Sequence, residues 1–302
     1  MKRIKILYII LISFLITSSC QEDDYLEEIQ ITQESSIDED GIRLKIEKYM
    51  NQHSSGSVQG ASCYGDYLFQ FQDHNENVYI YNVREKTYIE TLGMEPVQFN
   101  HCNNVSFSNI FFDERDEFPL LYVSGSGNGN YNQVQVYRIF HYERGFRLEK
   151  VQNIKLPKGN EDNHMYWTQV IIDNDNNFMY VLSKTMNSGG TFISQLAVPS
   201  LDSADIQLID SDILDQYEVS DSAHKQGAVI DKGFLYIMYG VPAWGDTNYL
   251  RVIDLANRKD YLTINVSDLG FNQEFEGLTV YNNMFIAPTN NAGIFKMRFL
   301  SK

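Results

Sequence analysis

The sequence predicts an all-β fold of the β-propeller type, and three observations support this prediction. From residue 41 onwards, a 3.6-residue hydrophobic period is almost absent. Short runs of β-branched and aromatic residues occur instead, as is typical of strands. A block of two strands joined by a polar turn recurs five times, roughly every 50 residues. Four-stranded antiparallel units at this spacing are typical of propeller blades, so we predict five of them.

Each block starts with an innermost strand that carries a polar pair of residues or a polar residue followed by glycine. The five starts are Gln59-Gly60, Asn103-Asn104, Thr168-Gln169, Gln226-Gly227 and Glu276-Gly277. A second apolar strand follows at 67–71, 120–123, 178–182, 234–238 and 284–287. The turns between them, such as Asp231-Lys232-Gly233, tolerate the positive φ of tight hairpins.

The outer strands decide between a closed ring and an open array. We predict third strands at 78–83, 133–140, 192–196, 250–254 and 293–299, and fourth strands at 88–92, 148–156, 204–209 and 261–266. The fifth unit lacks a fourth strand after Phe299, whereas an alternating segment at 42–50 precedes the first unit. We expect this N-terminal segment to complete the last blade and remove exposed edges. A β-sandwich with a second domain would leave the repeat unexplained.

The N-terminus has the pattern of an export signal. Three basic residues precede an apolar stretch at 6–16, which as a helix would rise about 16 Å, roughly half of a bilayer core. Thr17-Ser18-Ser19-Cys20 resembles the lipobox of bacterial lipoproteins, where signal peptidase cuts before the cysteine and the thiol is diacylated. The resemblance implies a signal peptide at 1–19 and lipidation at Cys20. The alternative is an ordinary secretory signal with an incidental cysteine.

Residues 20–40 are predicted to form an acidic tether. Positions 21–40 contain nine acidic residues and no basic one, so the segment repels itself and cannot bury apolar surface. Acids directly after Cys20 resemble the signal that sends Bacteroidetes lipoproteins to the outer face of the outer membrane. We therefore expect an outer-membrane lipoprotein facing the cell exterior, with residues 41–302 as a single propeller domain.

Composition excludes some classes of function. The chain has 302 residues, with 40 acidic and 24 basic side chains and a net charge of −16. Nucleic-acid binding needs a cationic face, so we expect no nucleic-acid partner. The 43% hydrophobic fraction is too high for a disordered chain. Cys63 and Cys102 lie at comparable places in neighbouring repeats, either as buried free thiols or as a disulfide that export would permit.

Polar residues recur where the innermost strands start, and period-two spacing puts them on one strand face. If that face lines the channel, these groups converge at its mouth and form a ligand pocket. The alternative is a structural role, in which the side chains bridge blades or hold ordered water. The candidate ligand-binding residues are Gln59, His101, Asn103, His164, Trp167, His224, Gln226, Glu274 and Glu276.

The sequence requires no cofactor, and a divalent metal is the alternative. His101, His224 and Glu274 offer two imidazoles and a carboxylate, a donor set that suits Zn²⁺. Five-fold spacing around a channel would act against this site by holding the three residues apart. Trp244, in a loop, is a further residue that could stack on a sugar ring or pack between blades.

Taken together, the lipobox, the acidic tether and the repeated strand starts resemble five-bladed propeller lipoproteins of Bacteroidetes, a group of unassigned activity. The expected outward location, the aromatic content and the polar cluster at the channel mouth favour a surface protein that binds a glycan or another extracellular ligand, and we expect binding rather than catalysis. One alternative is a glycoside hydrolase or lyase, because glycosidases resembling arabinanases use three channel carboxylates. Here only Glu274 and Glu276 stand at strand starts, both in one blade. The other alternative is a scaffold subunit that contacts an outer-membrane protein.

Overall fold

The computed structural model describes residues 32–37, 42–53, 57–73, 77–94, 101–126, 133–157, 166–184, 190–221 and 224–300. These residues form five sheets arranged as a β-propeller, which confirms the predicted fold class. The predicted signal peptide at 1–19, Cys20 and His164 lie outside the described residues. Within the described ranges, we find no helix with the length and apolarity needed to cross a membrane.

Strands β1 (Thr32–Ile37) and β2 (Arg43–Met50) come first in the chain, before the first complete blade. Blade 1 contains β3 (Val58–Tyr64), β4 (Tyr67–Gln72), β5 (Asn77–Asn82) and β6 (Thr87–Gly93). Blade 2 contains β7 (His101–Phe107), β8 (Leu121–Ser126), β9 (Gln133–Tyr142) and β10 (Gly145–Lys155). In both blades the strands pair antiparallel in chain order from the innermost outwards.

The remaining blades follow the same plan. Blade 3 contains β11 (Tyr166–Asp173), β12 (Phe178–Lys184) and β13 (Gly190–Ala197); β14 (Asp205–Gln207) and β15 (Ile213–Ser220) come next in the chain. Blade 4 contains β16 (Lys225–Asp231), β17 (Phe234–Tyr239), β18 (Tyr249–Asp254) and β19 (Lys259–Asn265). Blade 5 starts with β20 (Thr279–Tyr281), β21 (Met284–Pro288) and β22 (Ile294–Leu300). The described ranges also contain three short 3₁₀ helices, at Asp210–Asp212, Pro242–Trp244 and Ser267–Leu269.

An N-terminal strand closes the ring, as the sequence predicts. Strand β2 pairs antiparallel with β22, from Arg43 opposite Leu300 to Met50 opposite Ile294, and becomes the fourth strand of blade 5. Strand β1 adds a fifth strand outside β2, with Thr32 opposite Glu47. Part of the segment that we predicted as a tether therefore lies in the sheet, and the rest of it is outside the described residues.

The fourth strand of blade 3 differs from the prediction. We expected it at 204–209, but β15 pairs with β13 in that position. Residues 205–207 form β14, which pairs in parallel with β10 at the outer edge of blade 2. The Gln152 side chain holds the connecting segment there by donating to the backbone oxygens of Ser200 and Ser203, at 2.7 and 2.9 Å.

Among the described residues, the hydrophobic core consists of five clusters, and each one lies between two neighbouring blades. Successive strand residues point to opposite faces, so Leu120 and Tyr122 pack towards blade 3 while Leu121 and Val123 pack towards blade 1. The cluster between blades 5 and 1 contains Met50 from β2. The second and third strands of the blades are thus buried on both faces, which explains their continuous apolar runs, whereas outer strands such as β6 are partly exposed.

Glycines allow the innermost strands to approach each other closely. A Cβ atom on Gly227 would lie 2.6 Å from the backbone carbonyl carbon of Gly277, and one on Gly277 would lie 2.9 Å from the backbone nitrogen of Ala61. The recurring Gln-Gly and Glu-Gly pairs therefore combine a polar residue with a close backbone contact. Cys63 and Cys102 are both free thiols, and burial raises the pKa of each.

Candidate functional site

A cavity of about 370 Å³ opens at the end of the propeller where the innermost strands begin. We call it the mouth cavity. Eight of the nine predicted ligand-binding residues line it, and His164 is outside the described residues. The residues that line the mouth cavity are Ser57, Gln59, Asp73, His101, Asn103, Trp167, Gln169, Lys184, His224, Lys225, Gln226, Val241, Ala243, Trp244, Glu274, Glu276 and Asn290.

The innermost strands are irregular where they face the mouth cavity. Strand pairing shifts register near the start of β3, β7, β11 and β16, for example between Lys225 and Gly227. Bulges of this kind turn side chains away from the regular pleat. Inside the propeller, the fully buried Asn104 amide donates to the backbone oxygens of Val170 and Ala228, at 3.0 and 3.2 Å, and so joins three blades.

Two exposed indoles stand at the mouth cavity, each beside a histidine. The Trp167 ring meets the His101 ring edge-on with centroids 5.9 Å apart, and Trp244 meets His224 in the same way at 5.0 Å. Trp167 is 55% exposed and Trp244 71% exposed. The backbone of Trp167 has φ +53°, a left-handed conformation that is strained for a large side chain. The other positive-φ non-glycine residues found in the described ranges lie in turns between strands.

Glu276 is an unpartnered acid beneath this aromatic rim. It is only 1% exposed, and neither of its carboxyl oxygens has a hydrogen-bond partner among the described residues. Burial raises the pKa of Glu276 well above its ordinary value, and the nearby charges of Glu274 and Asp73 add to the shift. Burial thus favours the protonated form of this side chain, which is the form that can donate a hydrogen bond.

Glu274 lies beside Glu276 but is hydrogen-bonded. Its carboxylate accepts from the Gln226 amide at 2.9 Å and from the Asn290 amide at 3.3 Å. Burial raises the pKa of Glu274, and these two hydrogen bonds act in the opposite direction. The two glutamates thus differ in environment, which is how paired carboxyl groups take different roles in acid–base chemistry.

Asp73 supplies a third carboxylate, from the loop that follows the second strand of blade 1. Its Oδ1 lies 3.2 Å from His101 Nε2, within ion-pair distance when the imidazole is protonated. The other ring nitrogen of His101 is 2.9 Å from Asn103 Oδ1, and the Asn103 amide donates to the backbone oxygen of Thr168 at 2.9 Å. These contacts hold His101 in place. Only the carboxylates at strand starts, Glu274 and Glu276, were considered from the sequence, so Asp73, which comes from a loop, was missed.

Two lysines also line the mouth cavity, Lys184 from blade 3 and Lys225 from blade 4. Lys184 Nζ lies 3.4 Å from Oδ1 of the buried Asp221. Burial lowers the pKa of Lys225 to about 7, the charge of Lys184 adds to this shift, and Asp221 opposes it. The mouth cavity thus carries acidic groups from blades 1 and 5 and basic groups from blades 3 and 4.

The three residues proposed as metal ligands each have other partners. His101 contacts Asn103 and Asp73, His224 Nδ1 lies 2.8 Å from Asp246 Oδ2, and Glu274 accepts from two amides. In the part of the chain that the structure describes, no group of three or more His, Cys, Asp or Glu residues has the arrangement of a metal site. The hypothesis that His101, His224 and Glu274 together hold a metal is therefore not supported.

A second set of residues at this site is absent from the nine predicted ligand-binding residues, and of this set only Trp244 was named from the sequence, as a residue that could stack on a sugar ring. Asp73, Lys184, Val241, Trp244 and Asn290 all lie at or just after the end of the second strand of a blade. Because the second strand runs antiparallel to the first, its end lies at the same mouth as the start of the first strand. Aligning the ends of the second strands, as we aligned the starts of the first, would have found these residues.

Comparisons with known proteins support the fold and give no family. No protein-family model matches the chain, and no curated protein matches its sequence. Its structure is similar to the PQQ-bound aldose sugar dehydrogenase of Streptomyces coelicolor, with TM-score 0.52 and 9% identity over 86% of this chain and 99% of that one. It is also similar to the glutaminyl cyclase of Myxococcus xanthus (TM-score 0.51, 10% identity, 83% and 93% covered). A third match is the tail fibre of Staphylococcus aureus phage P68 (TM-score 0.52, 15% identity, 85% and 52% covered). At these identities the similarity shows the fold alone, a β-propeller, which in this chain has five blades.

Proposed function

We propose that the mouth cavity binds a glycan outside the cell, in a lipoprotein anchored through Cys20 to the outer membrane. The observation that carries this proposal is the pair of exposed indoles, Trp167 and Trp244, above a cavity lined by amides and carboxyl groups. Indole faces pack against the apolar C–H faces of sugar rings, and the polar groups below them match sugar hydroxyls. The left-handed backbone of Trp167 supports a functional reason for its exposure.

Binding can be tested by titration calorimetry of residues 32–302 with a panel of plant, host and bacterial polysaccharides and their oligosaccharides. We expect at least one saturable ligand, and Trp167→Ala or Trp244→Ala should each weaken it about tenfold, which corresponds to about 1.4 kcal/mol. Tyr142→Ala is the matched control, because Tyr142 is 52% exposed and is not among the residues of the mouth cavity. Failure of the whole panel, or equal affinity in all variants, would contradict the proposal.

The proposed lipidation and the proposed location on the cell surface need a separate test. Labelling with a fatty-acid analogue in a Bacteroidetes host should mark the full chain and not the Cys20→Ala variant. Protease added to intact cells should then degrade the labelled protein, because the proposed orientation is outward. Labelling that survives the substitution would contradict lipidation at Cys20, and resistance to protease would contradict the outward orientation.

Glu276 favours a second candidate function, a glycoside hydrolase or lyase. Burial raises the pKa of Glu276 beside the hydrogen-bonded Glu274, and Asp73 is close enough to raise the pKa of both; a carboxyl group with a raised pKa is what general acid catalysis needs. Assays on pooled polysaccharides should measure new reducing ends and unsaturated sugar products, with Glu276→Gln as the variant. Turnover that Glu276→Gln abolishes while binding survives would establish catalysis, and binding without turnover in the wild type would leave the binding function alone.

A further inference from the structure

Buried oxygen atoms of residues that line the mouth cavity lack hydrogen-bond donors. Neither carboxyl oxygen of Glu276 has a hydrogen-bond partner among the described residues, and this side chain is 1% exposed. The buried Gln169 side chain donates to the backbone oxygen of Asn103 at 3.3 Å, whereas its Oε1 accepts no hydrogen bond within the same ranges. Buried oxygens without donors are unfavourable, so these atoms favour a ligand that brings donors to them.

Three carboxyl groups of the mouth cavity lie close enough to influence each other. We call Asp73, Glu274 and Glu276 the acid cluster. Burial raises the pKa of Glu276 and of Glu274, and the negative charge of Asp73 adds to both shifts. A neutral hydroxyl group can donate a hydrogen bond to these oxygens but does not reduce the repulsion between them. A cationic donor does both, and its hydrogen bonds to carboxylates are stronger.

The two lysines of the mouth cavity belong to a different group of charges. Lys184 Nζ lies 3.4 Å from Asp221 Oδ1, and the charges that influence the pKa of Lys225 are those of Lys184 and Asp221. The charges that influence the two glutamates of the acid cluster come from within the cluster and from His224. The His224 ring is itself 2.8 Å from Asp246 Oδ2. A ligand beside the acid cluster therefore meets a negative environment, although lysines line other blades of the same cavity.

We propose that the acid cluster binds the ammonium group of an amino sugar with a free amine, such as a glucosamine or galactosamine residue. This inference rests on the proposed glycan-binding function and narrows its ligand class. An ammonium group has three donors and no acceptor, so it matches a set of buried oxygens. The exposed indoles of Trp167 and Trp244 favour the same ligand, because indole faces pack against sugar rings and also attract cations.

The first test compares amino sugars with their N-acetylated forms, which have the same rings and linkages but no charge. Oligosaccharides of glucosamine and of galactosamine, and their N-acetylated counterparts, are titrated into the protein by calorimetry at about pH 6.5, below the usual pKa of an α-amino group. We expect an amine form to bind about tenfold more tightly than its counterpart, since charge-assisted hydrogen bonds are stronger than neutral ones.

The outcomes of this comparison separate the two proposals. Equal affinity for both forms, or no binding of the amine forms while another glycan binds, would overturn the amino-sugar subsite and leave the glycan-binding function standing. Failure of these ligands and of the whole polysaccharide panel would overturn both.

The second test uses Glu276→Gln, which keeps the shape of the side chain and removes its charge. The preference for the amine form over the N-acetylated form should fall about tenfold in this variant, to near parity. Glu114→Gln is the matched control, because it removes one carboxylate from an exposed loop outside the mouth cavity. The control should keep the wild-type preference. An unchanged preference in Glu276→Gln, or an equal loss in both variants, would overturn the proposal.

Spermidine separates the ammonium group from the sugar ring, because it is a cation without a ring to pack against the indoles. We expect it to bind at least about tenfold more weakly than the amino-sugar oligosaccharide. Spermidine that binds as tightly as the amino sugar would show selection for charge alone and overturn the assignment of an amino sugar.

Discussion

The carboxyl group of Glu276 makes the stability of the whole domain depend on pH. Its pKa is raised in the folded state, so folded protein keeps a proton that the unfolded chain releases above about pH 4.5. Stability is therefore lost as pH rises from that value towards the pKa of the folded state, at up to about 1.4 kcal/mol for each pH unit. A buried acid without a hydrogen-bond partner lowers the stability of the folded protein, relative to a buried polar group whose hydrogen bonds are all made.

Glu276→Gln should remove this dependence, because glutamine imitates the neutral acid and carries no proton to lose. We expect the variant to melt at a higher temperature than the wild type, with a difference that grows between pH 5 and pH 8. Thermal unfolding followed by circular dichroism measures it, and Glu114→Gln on an exposed loop is the control. If wild type and Glu276→Gln lose stability in parallel, Glu276 is ionised in the folded protein.

At the residue scale, the repeated strand starts were enough to predict about half of the residues that line the mouth cavity. Equivalent positions such as Gln59, Asn103 and Gln226 share one place in every blade, and their convergence follows from the fold. Trp244 and Lys184 come from the other end of a hairpin, where sequences differ between blades and no shared motif marks them. The pairing of Lys184 with Asp221 depends on packing that a one-dimensional pattern does not contain.

At the scale of single elements, close contact between innermost strands explains the repeated glycines. Gly227 faces the backbone of Gly277 at a distance that excludes any side chain. Gly227→Ala should therefore destabilise the domain by about 1–3 kcal/mol, the usual cost of overpacking. Chemical denaturation measures the change. Gly93→Ala in β6 is the matched control, because a Cβ there would meet nothing within 4 Å. Equal stability of the two variants would contradict the close approach.

The strand predicted at 204–209 shows that a sequence pattern can indicate a strand without indicating which blade the strand joins. Its alternation predicts a strand, and the structure has a strand at 205–207, but it joins blade 2. The segment 213–220, which completes blade 3, alternates equally well and lies only a few residues further on. Sequence periodicity indicates that a segment is extended, whereas the choice of partner depends on tertiary contacts such as those of Gln152.

At the scale of the whole molecule, stability depends on closing the ring. Strand β2 contributes Leu44 and Ile46 to the core between blades 4 and 5, and Met50 to the core between blades 5 and 1. Closure by an N-terminal strand was predictable because 42–50 alternates and lies directly before the first blade, while the fifth unit lacked a fourth strand. Strand β1 was not predictable in this way, because its neighbouring acids indicated a solvated chain.

Leu44→Ala should destabilise the entire domain by about 2–5 kcal/mol, the range for a buried leucine in a core. Since each core joins two blades, we expect the unfolding transitions seen by circular dichroism and tryptophan fluorescence to shift together. Leu300→Ala, at the exposed end of the strand that pairs with β2, should cost less than 1 kcal/mol or so. Transitions that separate, with only one probe affected, would indicate that the ring is not closed by β2.

Intrinsic tryptophan fluorescence reports on glycan binding in the mouth cavity, because both tryptophans of the chain line this cavity. A glycan that binds there must change the surroundings of Trp167, Trp244 or both. We predict a saturable change in emission with the same dissociation constant that calorimetry gives for that ligand. A glycan that saturates the protein by calorimetry while leaving the emission spectrum unchanged would place its binding site elsewhere and contradict the account.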